Sequence, residues 1–126
     1  MVQIIVVDDD RDNSRLIRLL LEMDGCSVQL CPNLTQAQAA ASAETSAFII
    51  DYYLAQGEIG VDLVTMIRTG QTNARQDTPI IVTSGDERRR EVALEAGANT
   101  FLLKPYGPSV LSAEISQLTG GDKTSG

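Results

Sequence analysis

The chain has 126 residues, a formal net charge of −7 and no histidine, and 43% of its residues are hydrophobic. That length and apolar content suit one domain whose folding buries roughly two thirds of its unfolded surface, with no disulfide or structural metal needed to hold a core. The negative charge argues against a phosphate-tracking nucleic-acid binder or an anionic membrane surface, and the missing histidine excludes His-based acid–base catalysis, Ser-His-Asp and Cys-His nucleophiles, and histidine metal sites.

No apolar run approaches the ~18 residues of a spanning helix, and the start lacks the basic, apolar pattern of a signal peptide. A cytoplasmic location is expected. Strand 1 is predicted over Gln3–Val7 and helix 1 over about Asp12–Met23, with Leu16, Ile17, Leu20 and Leu21 as its buried stripe and Asp24-Gly25 as its stop. Strand 2 is Ser27–Cys31, after which Asn33 or Thr35 caps an alanine-rich helix 2 to about Ala43. Cys26 and Cys31 lie on or beside this strand, where ~3.3 Å per residue holds them ~16 Å apart, too far for a bridge.

Strand 3 is Ala47–Ile50, and helix 3 starts after Gly60 with Leu63, Val64 and Ile67. Strand 4 is Pro79–Thr83; helix 4 follows from Asp86, with Val92, Leu94 and Ala96 among its apolar positions and Gly97 as its stop. Strand 5 is Thr100–Leu103, and Pro108 opens helix 5, where Val110, Leu111, Ile115 and Leu118 recur at helical spacing. The domain is expected to span residues 1–119, and the polar, Gly/Ser-rich end, 120–126, reads as a flexible tail or linker. Strands alternate with helices throughout, the pattern of a parallel α/β sheet.

Three of the predicted strands end abruptly in charge: Asp8-Asp9-Asp10 after strand 1, Asp51 after strand 3 and Lys104-Pro105 after strand 5. Carboxyl ends of parallel strands are where open α/β sheets bind ligands. If strands 1 and 3 are neighbours, Asp8, Asp9 and Asp51 converge. Two carboxylates ~4 Å apart repel by about 4 kcal/mol at an effective dielectric of 20, so the cluster must take up a proton or a cation. Oxygen donors without Cys or His favour a hard ion, Mg²⁺ first and Mn²⁺ as a substitute. An aspartate beside Mg²⁺ can attack a phosphoryl group, while the metal and Lys104 offset charge on its oxygens. Asp10 or Asp12 reads as a helix cap.

These residues resemble the receiver domain of two-component response regulators over roughly residues 2 to 118. The match rests on Val6-Val7-Asp8-Asp9, Asp51 after strand 3, Pro79-Ile-Ile-Val-Thr-Ser-Gly85 and Lys104-Pro105. The resemblance is to chemotaxis-regulator-like receivers of bacterial signalling. It implies a flavodoxin-like (βα)5 three-layer sandwich with a five-stranded parallel sheet in order 2-1-3-4-5. It also implies that Asp51 is the phosphoacceptor, forming an aspartyl phosphate. Asp9 and Asp51 would ligate Mg²⁺ directly, Asp8 largely through water, and the Tyr53 backbone carbonyl would be a third protein ligand. Lys104 would pair with Asp51 or the phosphoryl oxygen. Ser84, five residues past Pro79, would be the switch hydroxyl, with Thr83 exchanging for it on a one-residue slip. Gly85 would admit the phosphate, and Phe101, three residues before Lys104, would be the switch aromatic or an ordinary core residue.

The chain departs from the family after Asp51. Ala55 stands where many receivers have proline, and Gly60 comes one residue late, with Gly57 inserted before it. This segment looks more like receivers of hybrid sensor kinases, and a longer, more mobile loop is expected. Tyr53 and Asp86 flank the pocket by family position and are candidates for tuning dephosphorylation.

The implied partners are a sensor histidine kinase or histidine phosphotransfer protein, an output domain or partner on the face of helix 4, strand 5 and helix 5, and a second copy in a homodimer. No direct nucleic-acid or membrane partner is implied. Arg11, Arg15 and Arg18 share one face of helix 1, where family kinases dock; a solvated face paired with Asp12 and Glu22 is the alternative. Arg88-Arg89-Arg90 on helix 4 admits the same two readings. Such a receiver is no enzyme beyond its own phosphoryl gain and loss. The other readings are a degenerate receiver acting only as a binding module, and an aspartate-nucleophile phosphatase of the haloacid dehalogenase type, imitated by Asp8-x-Asp10. A flavodoxin is excluded because three aspartates would repel the flavin phosphate.

Overall fold

The structure, a computed structural model, describes residues 1–120. Five strands, β1 (Gln3–Val7), β2 (Ser27–Cys31), β3 (Ala47–Asp51), β4 (Ile80–Ser84) and β5 (Thr100–Leu103), alternate with α1 (Arg11–Met23), α2 (Leu34–Ala40), α3 (Gly60–Arg68), α4 (Arg90–Ala96) and α5 (Pro108–Thr119). All pairings are parallel, in the order β2-β1-β3-β4-β5. The expected flavodoxin-like (βα)5 sandwich is therefore the fold.

Helices cover both faces of the sheet, which is why its central strands are apolar without alternation. Ile5, Val7, Phe48, Ile50, Ile80 and Val82 pack with Ala37, Leu63, Val64, Ile67 and Ala93 from α2, α3 and α4. Ile4, Val6, Ile49 and Ile81 pack with Ile17, Leu21, Leu111 and Ile115 from α1 and α5. Truncating a fully buried side chain such as Phe48 should cost about 3–5 kcal/mol. Cys26 and Cys31 are both free thiols, as the spacing requires.

Several details differ from the sequence expectation. α1 begins at Arg11 because Asp10 is its cap, accepting the N–H groups of Asp12 and Asn13. Within α1, Ile17 and Leu21 are buried, Leu20 is half-buried and Leu16 is 55% exposed, so the inward stripe is narrower than the apolar pattern suggests. α2 stops at Ala40 rather than about Ala43, since Ala41 turns extended and Ser42 and Thr45 bond each other instead. β3 runs one residue further, through Asp51, and β4 is shifted by one, to Ile80–Ser84.

α4 is preceded by a 3-10 turn over Glu87–Arg89, and its inward residue is Ala93. Val92 and Leu94 are each 41% exposed, because a step of 100° puts them on the two flanks of the buried Ala93. α5 opens with Pro108 at its first turn and ends at Gly120, which adopts the left-handed conformation. The expected linker from 121 onward lies outside the described residues. Among the described residues, no helix is long and apolar enough to cross a membrane.

Candidate functional site

β1 and β3 are adjacent, so their acidic ends meet at one mouth of the sheet. One carboxylate oxygen from each of Asp8, Asp9 and Asp51 lies within 4.8 Å of the others. Asp8 is buried, Asp51 half-buried and Asp9 exposed, giving a pocket open on one side. Lys104, which follows β5, reaches across β4 to place Nζ 3.3 Å from Asp51 Oδ2 and 3.9 Å from Asp8 Oδ2. The Lys104–Pro105 peptide is cis.

Burial pushes the Asp51 carboxyl up to about 6; Lys104 opposes that rise, while Asp8 and Asp9 add to it. The donors are carboxylates, with no Cys or His among them, which fits a hard, oxygen-preferring divalent cation.

The segment after Asp51 forms a compact loop. The Gly60 N–H bonds the Tyr52 carbonyl and the Leu54 N–H bonds the Glu58 carbonyl, leaving the Tyr53 carbonyl outside both bonds. Gln56 takes φ 61°, and Gly57 follows at φ 77°. A Cβ at Gly60 would overlap the Asp51 carbonyl oxygen and meet the Ile50 side chain, so α3 can start this close to β3 only with glycine there. Glu58 accepts the Leu34 N–H, tying the loop to α2.

Ser84 and Thr83 are both buried. The register sets Asp51 beside Thr83 and Ser84 beside Leu103, one step nearer the Lys104 loop. Ser84 Oγ accepts the Asp86 N–H at 3.1 Å. A Cβ at Gly85 would meet open space. Phe101 is buried, and the Arg90 guanidinium lies 4.9 Å from its ring centroid. Asp86 is tied to Arg88 by a two-point pair, whose hydrogen bonds hold its carboxyl below the usual range. Asp10 is committed to capping α1, which takes away the second aspartate that a dehalogenase-type motif would use.

Sequence reasoning missed Asn13 and Tyr106 beside the site, and it read Arg89 as part of a partner or solvated face of helix 4 rather than as a contact of Tyr53. The Asn13 side chain donates to Asp8 Oδ2 at 2.7 Å. Tyr106 lies near enough to Asp8 and Asp51 that their charges add to the burial that pushes its hydroxyl up to about 12. Arg89 donates to the Tyr53 hydroxyl. Only Asn13 left a signal: it follows the aspartate run by one turn of a helix that starts there.

The family model for the response regulator receiver domain matches residues 4–116. The chain belongs to the response regulator receiver domain family. Among curated receivers, it is 32% identical to the transcriptional regulatory protein CpxR of Klebsiella pneumoniae, covering 91% of this chain and 48% of that protein. It is also 32% identical to the sensory/regulatory protein RpfC of Xanthomonas campestris, covering 93% of this chain and 16% of that protein. The chain thus spans about half the length of CpxR, and what those whole proteins do is theirs.

Among solved receivers, the domain of the sensor histidine kinase PA1611 from Pseudomonas aeruginosa, with magnesium coordinated in its active-site cleft, superposes with a TM-score of 0.81 at 26% identity, over 94% of this chain and 98% of that one. A CheY-like receiver from Methanospirillum hungatei superposes with a TM-score of 0.84 at 22% identity, over 100% and 99% of the two chains.

Proposed function

We propose that this receiver takes a phosphoryl group from a partner histidine onto Asp51, with Mg²⁺ held at the cluster, and passes the change to the face of α4, β5 and α5. The observation that carries the reading is Lys104 Nζ 3.3 Å from an Asp51 carboxylate that two further aspartates adjoin. Asp9 and Asp51, with the Tyr53 carbonyl, are the direct ligands in this reading, and Asp8 acts through water. Mn²⁺ would substitute. When bound, the cation supplies positive charge to the phosphoryl oxygens.

The residues of the chain do the rest. An Asp51 carboxylate oxygen forms the new O–P bond as the donor's N–P bond breaks, and that electron pair leaves with the imidazole nitrogen. Lys104 turns from the free carboxylate to the phosphoryl oxygens, whose charge the carboxylate alone does not match. Ser84 donates its hydroxyl to the same group and draws the start of α4 with it, while Phe101 follows by packing alone. The chain turns over no separate substrate.

The donor histidine lies outside these 126 residues, which contain none, and in this reading it belongs to a sensor histidine kinase or phosphotransfer protein. α1 suits the docking: Leu16 and Leu19 are exposed, and among the described residues Arg11, Arg15 and Arg18 make no ion pair. A groove lined by Leu16, Leu20, Pro105 and Tyr106 opens beside Lys104. The α4–β5–α5 face is the contact for an output partner or a second copy, and the setting is a bacterial cytoplasm.

Intact-mass analysis after incubation with acetyl phosphate tests the reading. One added phosphoryl group that needs Mg²⁺ and is lost in Asp51→Asn is the expected result. A folded protein that gains none would instead be a receiver that works only as a binding module.

A further inference from the structure

Asp8 is the most buried carboxylate of the cluster, and both of its oxygens are bonded within the chain. Oδ1 accepts the Asp10 N–H at 2.9 Å, and Oδ2 accepts the Asn13 amide at 2.7 Å. Asp10 in turn accepts the Asn13 backbone N–H at 3.3 Å, so Asp8, Asp10 and Asn13 close a ring of three hydrogen bonds. The ring makes the cap of α1 and the floor of the acidic pocket one unit. Lys104 Nζ faces the same Asp8 Oδ2 at 3.9 Å, farther away than its contact with Asp51.

We propose that Asn13 is a positioning residue of the site: its amide occupies Asp8 Oδ2, which keeps Lys104 on Asp51 and leaves the Asp8 charge to the cation. The proposal rests on reading the cluster as a divalent-cation site. A buried carboxylate oxygen must have a donor, and among the described residues two side chains, Asn13 and Lys104, face this one. Asn13 is neutral, so it satisfies the oxygen without lowering the negative charge that draws a cation. Lys104 would satisfy it at the cost of that charge and of its own contact with Asp51. Partners of this kind, which hold a ligand rather than the metal, typically change metal affinity by about 10-fold or more when removed.

The test is a calorimetric Mg²⁺ titration of the whole chain, without phosphoryl donor, on wild type, Asn13→Ala, Lys104→Met and the double variant. Unfolding temperatures are taken in parallel. Asn13→Leu, close in shape to the amide but without its donors, serves if the alanine variant is poorly folded.

Asn13→Ala is expected to weaken Mg²⁺ binding about 10-fold. In the Lys104→Met background the loss should largely vanish, because Asp8 has no lysine to turn to. A residue that merely stabilised α1 would not show that dependence. Unchanged affinity in Asn13→Ala, or an equal loss with and without Lys104, would overturn the inference alone. A wild-type protein that binds no Mg²⁺ would overturn the site reading and the inference together.

Discussion

The Tyr53 hydroxyl accepts a 2.6 Å hydrogen bond from Arg89 Nε, joining the loop after Asp51 to the turn that starts α4. The same guanidinium lies 5.5 and 5.6 Å from the ring centroids of Tyr52 and Tyr53. The next residue, Arg90, sits over Phe101. Two consecutive arginines therefore reach opposite ways, one to the loop after Asp51 and one to β5.

Arg89→Ala should lower stability slightly, through one exposed hydrogen bond and the cation–π contacts. Tyr53→Phe keeps the ring and should cost less. Urea unfolding measures both. The freed loop should also shorten the life of the phosphorylated form, followed by intact mass over time. An Arg89→Ala protein with wild-type stability and decay would mean that the contact is incidental.

Two glycines of the loop should behave differently. Gly60→Ala forces a methyl group onto the Asp51 carbonyl, and overpacking of this kind costs about 1–3 kcal/mol. It should also slow phosphorylation by displacing Asp51. Gly57→Ala meets no atom within 4 Å and should cost only about 1 kcal/mol, for its positive φ. Equal effects in thermal unfolding would contradict the close approach at Gly60.

The raised Asp51 carboxyl makes a signed prediction. Its value of about 6 lies above the ordinary 3.8, so the folded chain keeps a proton that the unfolded chain releases. Stability from that neutral form is present below the unfolded value and lost as pH rises through about 6. Without divalent ions, Asp51→Asn should therefore raise the unfolding temperature clearly at about pH 8 and little at about pH 5. A gain independent of pH would mean that Asp51 is not held against its charge.

Ser84→Ala should still accept phosphate but lose much of the accompanying amide shift over Arg90–Ala96, read by nitrogen–proton NMR. Thr83→Ala, beside Asp51 in the register, should keep that shift. The reverse result would assign the hydroxyl to Thr83.

The strands were legible because residues such as Ile4–Val7 and Phe48–Ile50 are buried on both sheet faces, which leaves unbroken apolar runs ending at the acids. Lys104 was legible for the same reason, as the charge that stops β5. The inward face of α4 was not, since Val92 and Leu94 outweigh the small Ala93 in any apolar count. The Arg89–Tyr53 contact joins positions 36 residues apart with no shared pattern. Asn13 was adjacent to the motif, yet its role depends on a side-chain direction that only the capped first turn of α1 sets.

Borohydride trapping tests the central claim most directly. An aspartyl phosphate is an acyl phosphate, which the reagent reduces to homoserine; peptide mapping then locates it. After acetyl phosphate and Mg²⁺, homoserine should appear at position 51 alone. Homoserine at position 8 or 9, or a phosphoryl group that borohydride leaves in place, would contradict Asp51 as the acceptor.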